Sequence, residues 1–160
     1  MTDNDIAVQQ PPQPDPALKL LDRFVGSWRM TGRTLDSDVD NITASASYEW
    51  LPGGFFMLQR FQADFLGMRI ESFELIGYDP ETGTFPSTVY SNMAGTPLAY
   101  RWEVDGDELT ITTDVLGATF RGRWSEDGRT FAGGWRPHPG REGPGNVPYD
   151  ISGSRAPAER

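Results

Sequence analysis

At 160 residues the chain suits a single domain, large enough to bury a core without covalent staples. It contains no Cys, which excludes disulfides, thiolate nucleophiles and thiolate metal sites. With 23 acidic against 14 basic residues the formal charge is -9, a field that repels nucleic acid and anionic membrane, so neither is expected as a partner.

Residues 1–14 are polar and rich in Gln and Pro, which predicts a disordered N-terminal tail. No basic segment leads into an apolar run there, so a secretory signal is not expected. No apolar stretch approaches the roughly 20 residues that span a bilayer. Together with the missing Cys, these features make the cytoplasm the expected location. Asp15-Pro16 then opens a short helix, a capping residue followed by Pro at the first helical position. Leu18, Leu21, Phe24 and Val25 recur at helical spacing, and this apolar stripe is expected to lie on the sheet or plug one end of a barrel.

The rest, up to residue 155, reads as one β domain, with residues 156–160 a second tail. Alternation predicts strands over Ser27–Leu35, Thr43–Leu51, Phe55–Phe65, Met68–Tyr78, Thr84–Asn92, Leu98–Val104, Glu108–Val115, Ala118–Ser125, Thr130–Arg136 and Val147–Ser154. Leu66-Gly67, Asp105-Gly106-Asp107, Leu116-Gly117 and Glu126-Asp127-Gly128 supply residues that tolerate positive φ in tight hairpins. Connections this short force sequential antiparallel neighbours. Ten strands in a meander without long crossings favour an all-β fold, a closed antiparallel barrel, since closure removes exposed edges.

The faces of these strands name the candidate site. Tyr100 and Trp102 share one face of their strand, opposite Arg101 and Glu103, and Phe120 shares another with Trp124, opposite Arg121. Met57, Gln59 and Phe61 form the more apolar face of the third strand, which places Gln59 inside. In the fourth, one phase sends Ser72, Glu74 and Tyr78 inward; the other sends Phe73 and Leu75 inward and leaves Glu74 in solvent. An inward Glu74 costs several kcal/mol unless hydrogen bonded, and would mark a functional pocket. Trp28, Tyr48, Trp50 and Trp135 join the rings expected to line the interior. Alternation leaves open whether these side chains surround a space or fill it.

The expected function is binding of a small hydrophobic molecule, by a monomer or homodimer. A second possibility is cofactor-independent isomerisation or cyclisation, with Glu74 as acid or base and Tyr78, Tyr48 or Gln59 orienting a carbonyl. A third is a filled barrel that only binds a partner through its surface. Residues 137–148 form either a lid over one mouth or a plain surface insertion; as a lid they would set Trp135, Arg136 and Tyr149 at its roots, with Arg136 able to pair with a ligand carboxylate. One His and no Cys predict no transition-metal site, and Asp36, Asp38 and Asp40 lack the remainder of a calcium loop.

The segment LDRFVGSWRMTGR, Leu21 to Arg33, resembles the opening of lipocalin-like proteins of the calycin type, in which Gly-x-Trp follows a short helix. WLPGGFFMLQRF from Trp50 to Phe61 and LIGYDPETGTF from Leu75 to Phe85 resemble the DUF1579 family within that superfamily. The similarity spans about Leu18 to Trp135. It implies a calycin-like barrel in which Gly26 allows a tight turn and Trp28 closes the base, and it implies no established reaction. A more distant resemblance is to nitrobindin-like barrels, which implies haem bound through a histidine near the C-terminus, here His138 in Arg136-Pro137-His138-Pro139-Gly140. Flanked by prolines in a Gly-rich loop, His138 itself reads as a surface residue, so no cofactor is expected and haem is the alternative.

Overall fold

The structure, a computed structural model, describes residues 10–157. Most of the two expected tails, residues 1–9 and 158–160, therefore lies outside the described residues. Asp15 caps the first element, its Oδ1 accepting from Ala17 N at 2.9 Å, and Pro16–Phe24 forms a 3-10 helix. The cause is visible in the spacing. Leu18, Leu21 and Phe24 stand three apart, and with three residues per turn they stack on one line and are all buried. Val25, expected on the same stripe, falls about 120° off that line and turns out to solvent.

Ten strands follow: β1 (Gly26–Thr34), β2 (Ile42–Trp50), β3 (Met57–Phe65), β4 (Met68–Ile76), β5 (Phe85–Ser91), β6 (Leu98–Asp105), β7 (Glu108–Thr113), β8 (Ala118–Trp124), β9 (Thr130–Pro137) and β10 (Tyr149–Arg155). Each pairs antiparallel with its sequence neighbours, and β1 also pairs with β10, so the sheet is a closed barrel. Tight hairpins make this order possible. At the β3–β4 turn both Leu66 and Gly67 have positive φ, 56° and 84°, as a two-residue turn that follows the sheet twist requires. Among the described residues no helix is long and apolar enough to cross a membrane.

The helix lies at the end where β1 begins and β10 finishes, here called the base; the opposite end is the mouth. Leu18, Leu21 and Phe24 pack there with Trp28, Met57, Ile76, Phe85, Leu109 and Trp124, and this base is filled. Burying three such helix side chains contributes about 2 kcal/mol each, more than a nine-residue helix could supply by itself. Strand register carries one row of side chains obliquely from base to mouth: Phe85 opposite Trp102, Trp102 opposite Ile111, Ile111 opposite Phe120, Phe120 opposite Trp135, and Trp135 opposite Tyr149. Gly122 and Gly133 face one another across β8 and β9, and the Phe120 ring lies over both. A Cβ at either position would come within 2.7 Å or 2.6 Å of that ring. Outside, arginines sit beside acids, as in Arg123–Glu108, Arg60–Glu49 and Arg136–Asp150, all exposed pairs of little energetic weight.

Candidate functional site

β4 decides where the polar interior lies. Its phase sends Glu74 inward, 5% exposed, and Phe73 outward, 52% exposed. Across β3, Gln59 stands opposite Glu74 and also opposite Tyr48 of β2, so three polar side chains follow one another around the wall. Gln59 Nε2 donates to the Tyr48 hydroxyl at 2.7 Å. Ser87 Oγ and Trp102 Nε1, from β5 and β6, each donate to Glu74 Oε2 at 2.7 Å. Glu74 Oε1 has no protein partner among the described residues and is not among the buried polar atoms sealed from solvent.

This row sits just above the apolar plug. The Tyr48 ring packs on Phe24, with ring centroids 5.1 Å apart, and the Phe24 ring meets Trp102 edge-on at 5.3 Å. The polar residues therefore form a floor. Above it the inward-facing side chains Phe61, Ser72, Tyr100, Trp135, Tyr149 and Ile151 are only partly buried, unlike those of the base. Tyr100 and Trp135 meet edge to face at 5.9 Å, and Phe65 and Tyr149 at 5.0 Å.

Electrostatics follow from this enclosure. Burial pushes the Glu74 carboxyl up to about 7, against the lowering effect of the Ser87 and Trp102 hydrogen bonds. Burial also raises the Tyr100 phenol to about 12, and nearby Glu74 adds to it. Tyr48 and Tyr149 are raised as well, burial again the leading cause. Both residues are nevertheless only partly buried. Partly buried rings above a sealed base make the mouth half the less tightly filled end of the barrel.

The sequence-derived candidates divide between this space and other places. Tyr48, Gln59, Phe61, Ser72, Glu74, Tyr100, Trp102, Phe120 and Trp135 lie on the inner face around or above the floor. Trp28 and Met57 are sealed in the base, the Trp28 indole donating to Phe24 O at 2.8 Å. Trp50 fastens the helix from the same end, its Nε1 donating to Asp22 Oδ1 at 2.8 Å. Tyr78 lies beyond the end of β4, packed on Phe85 at 5.1 Å, and lines a separate recess of about 260 Å³ with Leu18, Phe55 and Phe56. It is not brought to Glu74. Arg136 is on the outer face, because its neighbour Trp135 points inward; it donates to Asp150 Oδ1 at 2.6 Å and to Tyr149 O at 3.1 Å.

The 138–148 connection is fastened to the β7–β8 turn. Asn146 Nδ2 donates to Leu116 O at 2.9 Å and Arg141 to Val115 O at 2.9 Å. His138 belongs to this rim. Its Nε2 is 2.7 Å from Thr119 Oγ1, and Thr119 lies on the face opposite Ala118 and Phe120. These residues do not fit a haem inside the barrel, since the one histidine is held on the outer side of the wall.

One residue of the site, Ser87, was not singled out in the sequence, and Tyr149 was named there only as the root of a lid. Ser87 shares a face with Phe85 and Val89, so fixing that strand's phase identifies it. Tyr149 alternates with Ile151 and Gly153 in the same way. A surface recess of about 620 Å³ lies elsewhere, on the side wall of β8, β9, β10 and β1. Its outward residues are Arg29, Thr31, Arg123, Ser152 and Ser154, and no buried carboxyl reaches it.

The model of a family described as a protein of unknown function, DUF1579, matches residues 13–131. The chain belongs to the DUF1579 family. The matched stretch includes every member of the floor, Tyr48, Gln59, Glu74, Ser87 and Trp102, and ends at Phe131, early in β9. No curated protein matches this DUF1579 chain. Among its described residues no group of three or more His, Asp or Glu is placed to hold a metal ion.

Proposed function

We propose that the protein binds a small, largely apolar molecule that enters at the mouth and rests on the floor of Glu74, Gln59 and Tyr48. One observation carries this: the inward residues above the floor are only partly buried, while Glu74 Oε1 has no protein partner among the described residues. Apolar walls with a few converging polar groups are the usual composition of a small-molecule site. The barrel is read as lipocalin-like, of the calycin type, on the meander, the helix beneath it and the Gly26-x-Trp28 step at the base. A cytoplasmic location fits the absence of Cys.

Native mass spectrometry of protein purified from its own host, followed by extraction, tests the binding. A retained small molecule is expected, and Ser72→Trp, which places a large ring in the accessible interior, is expected to empty it. A wild-type protein that carries nothing, and whose tryptophan emission no apolar compound perturbs, would refute the proposal.

A second reading is cofactor-independent acid or base catalysis on the bound molecule. It is favoured by a carboxyl pushed up to about 7 by burial, with one oxygen free of protein partners among the described residues. Conversion of the extracted molecule by the wild type but not by Glu74→Gln would establish it; equal turnover by both would exclude it.

A further inference from the structure

Glu74 is a buried acid with no cation of its own. Its two hydrogen bonds both arrive at Oε2, from groups that act there as donors, so any proton it carries and any ligand it meets must be at Oε1. Buried carboxylates are normally paired with Arg or Lys. Here all six ion pairs of the described residues are made on the outside, and none includes Glu74. The one basic residue among the described residues whose strand position shares the inner face is Arg155, at the base. Its guanidinium donates to Val25 O and Arg23 O and lies 4.7 Å from the Trp28 ring centroid. It belongs to the plug.

What stands near the carboxyl instead is neutral: Gln59 directly across on β3, Ser87 on β5, and aromatic rings. Tyr48 and Tyr100 come from strands on either side, close enough for the Glu74 charge to act on both phenols, and ring faces carry partial negative charge; Trp102 turns its N–H edge to Oε2. A carboxylate and several ring faces with no counter-cation make a site whose missing partner is positive. Such rings bind ammonium groups in an aromatic cage, and the bond strengthens when water is excluded. The net charge of -9 further draws cations toward the molecule. A glutamine at position 74 could accept the same bonds from Ser87 and Trp102 without any cost of burying charge, so those two bonds alone do not account for an acid there.

We propose that the ligand is a lipophilic amine, its ammonium group held by Glu74 Oε1 beside the rings of Tyr48 and Tyr100 and its apolar body among the partly buried side chains toward the mouth. This rests on the interior-binding reading above and names the chemical class that the site takes. The amine enters as the cation, and the carboxyl is ionised in the complex; a proton carried by Glu74 beforehand leaves to solvent.

The test compares four probes of one size on the full-length protein: 2-phenylethylamine and the corresponding alcohol, methyl ketone and carboxylic acid. Affinities are read at pH 7.5 by calorimetry and tryptophan fluorescence. The amine is expected to bind at least tenfold more tightly than the alcohol, with the acid weakest. Glu74→Gln, checked for folding by its denaturation curve, is expected to abolish the amine-to-alcohol ratio. Tyr100→Leu, which keeps the carboxyl, is expected to reduce that ratio several-fold. An alcohol or ketone that matches the amine, or a ratio unchanged in Glu74→Gln, overturns the amine assignment while leaving interior binding standing. If none of the four binds, the amine assignment also falls, and interior binding is then judged on the molecule the native protein retains.

Discussion

Replacing Glu74 by Gln should make the protein more stable at pH 8 and leave it nearly unchanged at pH 4. In the folded barrel the carboxyl is raised from its ordinary 4.5 to about 7, chiefly because burial disfavours the charge. An acid whose folded value lies above its unfolded one binds a proton more tightly when folded. Its favourable contribution is therefore complete below the unfolded value and is lost as pH rises toward the folded value. Between pH 4.5 and 7 that loss is the shift of about 2.5 units multiplied by about 1.4 kcal/mol, or about 3 kcal/mol. Water admitted through the mouth screens the ionised carboxylate, so 3 kcal/mol is a ceiling. Glutamine keeps an acceptor for Ser87 and Trp102 and carries no charge at any pH. The assay is urea denaturation of both proteins at several pH values, reading the difference in unfolding free energy so that the other carboxylates cancel. A difference that grows by 2–3 kcal/mol from pH 4 to 8, about where the shift predicts, supports a buried, titrating Glu74. A difference independent of pH would refute it.

Other expectations follow from the same geometry. Tryptophan emission should titrate with a midpoint at about 7, because the Trp102 indole donates to the carboxyl, and the transition should vanish in both Glu74→Gln and Trp102→Phe. Leu21→Ala, at a fully buried plug position, should cost about 3 kcal/mol in a denaturant melt. Gly32→Ala should be at least as damaging, because its Cβ would stand 2.2 Å from Asp150 O across the β1–β10 seam; Gly95→Ala, with nothing within 4 Å, serves as the control, and equal melting temperatures for the two would contradict the seam geometry. Arg136→Ala, outside the barrel, should cost less than about 1 kcal/mol and leave the affinity for the retained molecule unchanged.

The architecture was legible because hairpin turns and alternation repeat with a period that few other folds tolerate. Leu66-Gly67 and Ala118-Thr119-Phe120 state their turn and their faces plainly. Legibility faded where both faces of a strand are apolar. In β4, Phe73 and Leu75 compete with Ile70 and Ile76, and only pairing with β3 and β5 settles that Glu74 goes in. Ser87 was missed for the opposite reason: between Pro86 and Thr88 it has no amphipathic contrast, and only Phe85 and Val89 indicate its direction. The helix type was written in the three-residue spacing of Leu18, Leu21 and Phe24, which a 3.6-residue expectation had blurred by including Val25. Tyr78 was placed inward by carrying the alternation past Ile76, and Arg136 was placed at the root of a lid. The end of β4 and the alternation of β9 send them elsewhere.

Because the first strand is zipped to the last, nothing shorter than the chain through Arg155 covers both borders of the sheet. A nascent polypeptide must keep the outer rim of β1 unpaired until its final hairpin has emerged, and a product truncated after β9 would display two adhesive margins. The same zipper brings residues 26 and 155 to one end of the molecule, the end where the plugging helix joins β1.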